Sequence, residues 1–147
     1  MGGARFGELL HGVLASAPLA GDCEAYRRSA DVHARILGAS EAERDAVVDA
    51  ALRVSSHELV QRAAEAAARG QARRECPVTL TAPDGSLLEG VVDLAFEDGG
   101  EWVVVDFKTD REISQVGFER YARQVALYAA AVSKATGAPA SAFLLRV

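Results

Sequence analysis

An α/β fold, helical in its first half and built on a small sheet in its second, follows from three features of the sequence. Apolar residues recur at helix spacing as far as Gly70, the repeat shortens toward two beyond it, and capping signals with glycine stops divide the helical half. At 147 residues, half of them hydrophobic, the chain has the size of one domain with a real core. That domain divides into a helical part, about 1–70, and a sheet-and-helix part, about 71–147.

Phe6, Leu9, Leu10, Val13 and Leu14 set one apolar stripe along a first helix, which Pro18 and Gly21 end. A second helix runs from about Asp22 to Leu37, closed by Gly38, because glycine accepts the left-handed conformation at a helix end. Ser40-x-x-Glu43 and Ser55-x-x-Glu58 match the capping box, in which serine and glutamate satisfy backbone donors reciprocally. They place two more helices at about 41–53 and 56–69, the second stopped by Gly70, with Ala63 to Ala68 a good helix-forming run. Strands then follow at 75–81 and 87–96, separated by the turn residues Pro83-Asp84-Gly85-Ser86. Asp98-Gly99 introduces a second turn before Trp102-Val103-Val104-Val105, an unbroken apolar run suited to a strand covered on both faces. A long helix from about Ser114 to Thr136, ended by Gly137 and Pro139, and a short strand from Ala142 to Val147 complete the order.

Charge and composition narrow the functional classes. The net charge of -5, from 16 basic and 21 acidic residues, argues against a domain that grips nucleic acid by overall positive charge. No apolar run approaches the ~18 residues of a membrane span and no signal-peptide pattern opens the chain, so a soluble, cytoplasmic protein with no membrane partner is expected. Cys23 and Cys76 lie far apart and suggest neither a zinc site nor a disulfide framework. No G-x-x-x-x-G-K-[ST] phosphate loop occurs, so no nucleotide cofactor of that type is expected. The opening Met1-Gly2-Gly3 suits an excised domain as well as a natural start.

Strand periodicity turns separated acidic residues into one site. Asp106 and Lys108 share a face of their strand, while Phe107 points the other way into the core. With Asp98-Gly99 as a two-residue turn, Phe96 lies opposite Glu101 and Val91 opposite Asp106. Asp93 then falls on the same face, diagonal to Asp106 at roughly 7–8 Å between backbones, near enough for both carboxylates to lean on one ion. Two carboxylates in an apolar sheet repel unless something positive compensates, and a divalent cation together with Lys108 does so. Oxygen ligands favour Mg²⁺ or Mn²⁺, since zinc calls for several histidines or cysteines.

Each residue also has a plainer reading. A lone Asp-x-Lys is usually a solvated strand edge, although the preceding valines place this strand centrally. Gly90 is equally a bulge or close-packing glycine. His11 lies off the apolar stripe and faces solvent or a cleft. His33 and His57 are structural or surface residues. Gln124 and Tyr128 could edge the apolar face of Tyr121, Val125 and Val132, and Glu75 could form only a surface ion pair with Arg74.

Together, Gly90-Val91-Val92-Asp93, Asp106-Phe107-Lys108 and Gln124-x-x-x-Tyr128 resemble the PD-(D/E)xK nuclease superfamily. The likeness is closest to the nuclease domain at the C-terminus of RecB- and AddA-type helicase–nucleases, which are UvrD-like. Phe6-Gly7-Glu8-Leu9-Leu10-His11 resembles the family's His-bearing first helix, Arg74-Glu75-Cys76-Pro77 its glutamate-bearing first strand, and Asp106-Phe107-Lys108-Thr109-Asp110 the AddA form. The resemblance implies a restriction-endonuclease-like core, a central mixed sheet in αβββαβ order with an extra N-terminal helical region. It also implies a domain excised from a longer helicase–nuclease chain.

Residue by residue, the resemblance implies that His11, Asp93, Asp106 and the Phe107 carbonyl bind the metal, with Glu75 supporting the metal or a bound water. Lys108 would orient the attacking water or stabilise phosphate charge, and Gln124 and Tyr128, one helical turn apart, would position the strand. The implied activity is that of a Mg²⁺-dependent deoxyribonuclease like exodeoxyribonuclease V, acting in double-strand-break repair and recombination. Its partners would be single-stranded DNA, the parent chain's helicase domain and a second subunit. Relatives with an iron–sulfur cluster use four cysteines, so no such cluster is expected here. Two other readings stand beside it: a catalytically silent scaffold of the same fold, against which the intact Asp93, Asp106 and Lys108 argue, and a restriction enzyme, which would need base-reading insertions that the sequence does not show.

Overall fold

The computed structural model describes residues 3–147; Met1 and Gly2, two of the three residues of the Met1-Gly2-Gly3 opening, lie outside it. Four helices come first, α1 (Ala4–Ser16), α2 (Cys23–Leu37), α3 (Glu41–Ser55) and α4 (Glu58–Ala68). Strands β1 (Ala72–Thr81), β2 (Leu87–Asp98) and β3 (Glu101–Lys108) form an antiparallel meander, followed by α5 (Asp110–Val116), α6 (Phe118–Thr136) and β4 (Ala140–Arg146). β4 returns beside β3 in parallel, giving one four-stranded mixed sheet in the order β1-β2-β3-β4.

Helix boundaries follow from side chains that satisfy orphan backbone groups. Asp22 caps α2 by accepting from the Ala25 N–H, Gly38 ends it at φ 63°, and Ser40 with Glu43 forms the expected capping box on α3. The Ser55-x-x-Glu58 box does not form. Ser55 is the last residue of α3 and its hydroxyl donates to the Leu52 carbonyl, while the His57 Nδ1 accepts from the Leu59 N–H and caps α4. Instead of one helix from Ser114, the chain makes two, broken at Gly117 with φ 99°. A second capping box, Thr109 with Glu112, starts α5 and was not anticipated.

The sheet separates two cores, a three-layer arrangement. Leu94, Phe96, Val103, Val105 and Phe107 pack against α1 to α4, whereas Val92, Ala95 and Val104 pack against Val125, Ala129 and Val132 of α6. Leu94 and Val92 are two residues apart yet serve opposite faces. Ala72 and Cys76 on β1 divide in the same way. The hairpin therefore turns over between them, at the place where the β1–β2 ladder skips Glu75 and Asp93. Glu75 sits there at φ 49°, a left-handed backbone that is uncommon for a residue with a side chain. Bulge-like interruptions of this kind re-aim side chains, and this one lies at the candidate site.

The second turn corrects the expected register. Gly99 and Gly100, both at positive φ, make the turn, so Asp98 pairs with Glu101 and Phe96 with Val103. Counting on from Leu94 opposite Val105 puts Asp93 directly across from Asp106, in place of Val91. The regular pairing ends at Leu94, and the turnover at Asp93 brings its carboxylate to that of Asp106.

Candidate active site

Asp93 and Asp106 meet where the β2–β3 ladder ends. The Phe107 N–H, free of a strand partner on that side, donates to Asp93 Oδ2 at 2.8 Å. This bond holds the carboxylate against β3. Asp106 is 3% exposed, because it sits on the central strand between β2 and β4. Its Oδ2 lies 3.1 Å from Lys108 Nζ, but among the described residues no group meets that oxygen with hydrogen-bonding geometry. A buried carboxylate oxygen held only by a neighbouring charge is a ready acceptor for a cation.

His11 reaches the pair from α1. Its Nδ1 is 3.8 Å from Asp93 Oδ2 and its Nε2 3.2 Å from Glu112 Oε1 on α5. Glu112 in turn accepts from the Thr109 N–H at 2.6 Å, so the capping box that starts α5 also fixes the partner of His11. With its proton on Nε2, toward the Glu112 carboxylate, the imidazole would present the Nδ1 lone pair toward Asp93. His11 borders a cleft of about 470 Å³ with Gly7, Thr109 and Glu112, and on its other side closes a space without room for a water molecule against Glu75, Asp93 and Phe107.

The alternative pairing of Glu75 with Arg74 is absent among the described residues. The Arg74 guanidinium donates instead to the Leu14 and Ala17 carbonyls at the end of α1, tying the His11-bearing helix to the strand that carries Glu75. Lys108 stands over the Tyr121 ring at 4.8 Å, a cation–π contact from α6 that limits where its ammonium can move.

Gln124 and Tyr128 lie on α6 and line an adjoining groove with Gly90. A Cβ at Gly90 would stand 2.5 Å from Tyr128 Cε1, so this glycine is the close-packing kind and leaves room for the tyrosine beside the strand. Glu112 and Tyr121 were not singled out from sequence as site residues. The Thr109-x-x-Glu112 pattern carried the signal for the first, and nothing local carried one for the second.

The electrostatics are those of crowded carboxylates. Burial, reinforced by the charge of Asp106, pushes the Asp93 carboxyl up to about 8. Burial alone would lower Lys108, but the carboxylates around it, Asp106 first and then Asp93 and Glu112, together outweigh that and raise the ammonium above its ordinary value, keeping it charged. Burial and the nearby Asp106 raise the Tyr128 phenol, which stays a neutral O–H. Among the described residues no three His, Cys, Asp or Glu side chains stand together as a ready-made cage. The donors nevertheless suit a divalent cation: two crowded carboxylates, one with an unbonded buried oxygen, and an imidazole with its Nδ1 turned toward them.

A mixed four-stranded sheet between helical layers, with acidic residues and a lysine gathered at the end of a central hairpin, defines the restriction-endonuclease-like class of α/β enzyme. Comparison with known proteins gives the family: the chain belongs to the PD-(D/E)XK nuclease superfamily, whose model matches residues 2–147. It is also similar to the A-type subunit of the ATP-dependent helicase/nuclease of Lysinibacillus sphaericus (strain C3-41), 36% identical over 76 residues. That match covers 42% of this chain and 6% of the relative, so the chain spans only a small part of that protein's length. No helix among the described residues is long and apolar enough to cross a membrane.

Proposed function

We propose that the chain is a metal-dependent exonuclease domain that hydrolyses the phosphodiester bonds of single-stranded DNA, as the cutting part of a cytoplasmic helicase–nuclease engaged in double-strand-break repair and recombination. The observation that carries this reading is the meeting of Asp93, Asp106 and His11 beside Lys108, with a buried Asp106 oxygen lacking a hydrogen bond. The match to part of a helicase/nuclease protein supports the association with a helicase domain and, through it, with a second subunit.

In this reading Asp93, Asp106, the His11 Nδ1 and the Phe107 carbonyl hold Mg²⁺ or Mn²⁺, which supplies charge neutralisation at the phosphate and a more acidic water. Lys108, kept charged by Asp106, stabilises the negative charge that grows on the phosphate oxygens and orients the attacking water. Glu75, on the strand interruption beside His11 and Asp93, supports the metal or a bound water. Gln124 and the neutral Tyr128 hydroxyl position the strand from α6. Asp93 and Asp106 set the site's charge: without a cation one of them keeps a proton, and with one both serve as ligands.

The test is cleavage of end-labelled single-stranded DNA with Mg²⁺ or Mn²⁺ by the chain and by Asp106→Ala. Cleavage by the unaltered chain alone is expected. Cleavage by both locates the chemistry elsewhere, and cleavage by neither favours a catalytically silent module of the same fold.

A further inference from the structure

A groove of about 580 Å³ runs beside the site, between the outer part of the β1–β2 hairpin and α6. Leu80, Leu88 and Leu127 supply apolar wall, with Leu88 and Leu127 exposed; Arg120 and Arg123 border it, against Glu89 as the acidic residue of the lining. The arginines are three residues apart and therefore on one side of α6, the side that also carries Gln124 and Leu127. Most other arginines are already engaged. Arg5, Arg27, Arg28, Arg44, Arg62 and Arg146 form ion pairs and Arg74 caps α1. Arg120 and Arg123 have no ion-pair partner among the described residues. Two uncommitted cations on an acidic protein thus stand together at an apolar groove that shares Gly90, Gln124 and Tyr128 with the site.

We propose that this groove seats one strand of nucleic acid beside the cutting site, Arg120 and Arg123 meeting its phosphates and Leu80, Leu88 and Leu127 meeting its bases. Apolar walls suit bases without reading their sequence, while guanidinium groups hold phosphate oxygens. A space of this volume takes a group of about nucleotide size. It cannot admit a duplex, whose paired bases face inward and leave no apolar surface to bury. The strand's fate at the site rests on the nuclease reading, but its seating does not.

Nuclear magnetic resonance reads weak binding without cleavage. The ¹⁵N-labelled chain is titrated with single-stranded oligothymidine in EDTA, then with a blunt duplex of equal length. Saturable shifts confined to 78–80, 88–90 and 120–128, and weaker ones with duplex, are expected. Shifts that map elsewhere, no shifts at high strand concentration, or equal response to duplex overturn the proposal and leave the groove to another partner.

Arg120→Glu/Arg123→Glu, checked for an unchanged melting temperature, should lower the slope of log affinity against log salt by about 1.4, the value for two lost single-strand phosphate contacts. In cleavage it should raise KM about tenfold or more with kcat kept, as expected for lost ground-state binding. Arg→Lys at both positions should restore most of the salt slope. If the unaltered chain cleaves and the double variant matches it in slope and KM, the groove proposal fails and the nuclease reading survives. If the chain binds through the groove without cleaving, the seating stands and the nuclease reading fails.

Discussion

Replacing Asp93 by Asn should make the metal-free protein more stable while abolishing cleavage. Asp93 is buried beside Asp106, and its carboxyl is raised from 3.8 to about 8. Below about pH 3 both folded and unfolded chains hold the proton, so the site costs nothing. As pH rises, the unfolded chain ionises first and the folded chain is penalised by about 1.4 kcal/mol per unit until about pH 8. The penalty accumulated by pH 7 has a ceiling of about 4 kcal/mol, and relaxation of the site should leave roughly half.

The amide removes the charge but keeps an oxygen for the Phe107 N–H, so this bond survives. A gain of about 2 kcal/mol corresponds to roughly 5 °C in Tm for a chain of this size. Scanning calorimetry in EDTA should show the Asp93→Asn variant melting above the parent at pH 8, with the gap closing toward pH 5. Saturating Mn²⁺ should narrow the gap by stabilising the parent. A variant that melts lower than the parent at every pH, or a gap that does not change with pH, refutes the reasoning.

Three further outcomes follow from the geometry. Lys108→Ala should cut kcat by about 10² or more while leaving Mn²⁺ binding measurable by calorimetry, because the lysine stabilises developing charge. Glu112→Ala should weaken Mn²⁺ affinity about 10- to 100-fold, since His11 loses the carboxylate that orients it; ¹⁵N spectra of the imidazole should show the tautomer mixture change without metal present. Gly90→Ala should cost about 1–3 kcal/mol in urea denaturation, because its Cβ meets the Tyr128 ring at 2.5 Å and the tyrosine must move.

The features that sequence conveys best here are those set by neighbours in the chain. Asp22, Gly38 and the Ser40–Glu43 box fixed their helix ends as expected, since a cap depends on residues three or four apart. Ser55-x-x-Glu58 satisfied the same pattern, but α3 extended through Ser55 and His57 offered the cap instead. The turn between β2 and β3 was misplaced by one position because Asp98-Gly99 and Gly99-Gly100 both suit positive φ, and only pairing across the sheet decides between them. Asp93 and Asp106 nevertheless meet, because the turnover of the hairpin at Asp93 brings the two carboxylates together where the ladder ends.

What sequence did not convey depends on packing between elements. The turnover of the hairpin at Glu75 and Asp93 requires two cores on opposite faces, and neither residue alone signals it. The cation–π contact of Lys108 with Tyr121 arises only because α6 crosses β3. Glu112 could have been found: Thr109-x-x-Glu112 has the same form as the box at Ser40, and the assumed unbroken helix from Ser114 obscured it.

The metal site itself is tested most directly by anomalous diffraction from crystals grown with Mn²⁺. One strong peak at ligating distance from the Asp93 and Asp106 carboxylates and the His11 Nδ1 is expected, and it should vanish in crystals of Asp106→Ala. A fully occupied peak away from these three residues, or one that persists in the variant, shows that they do not form the metal centre.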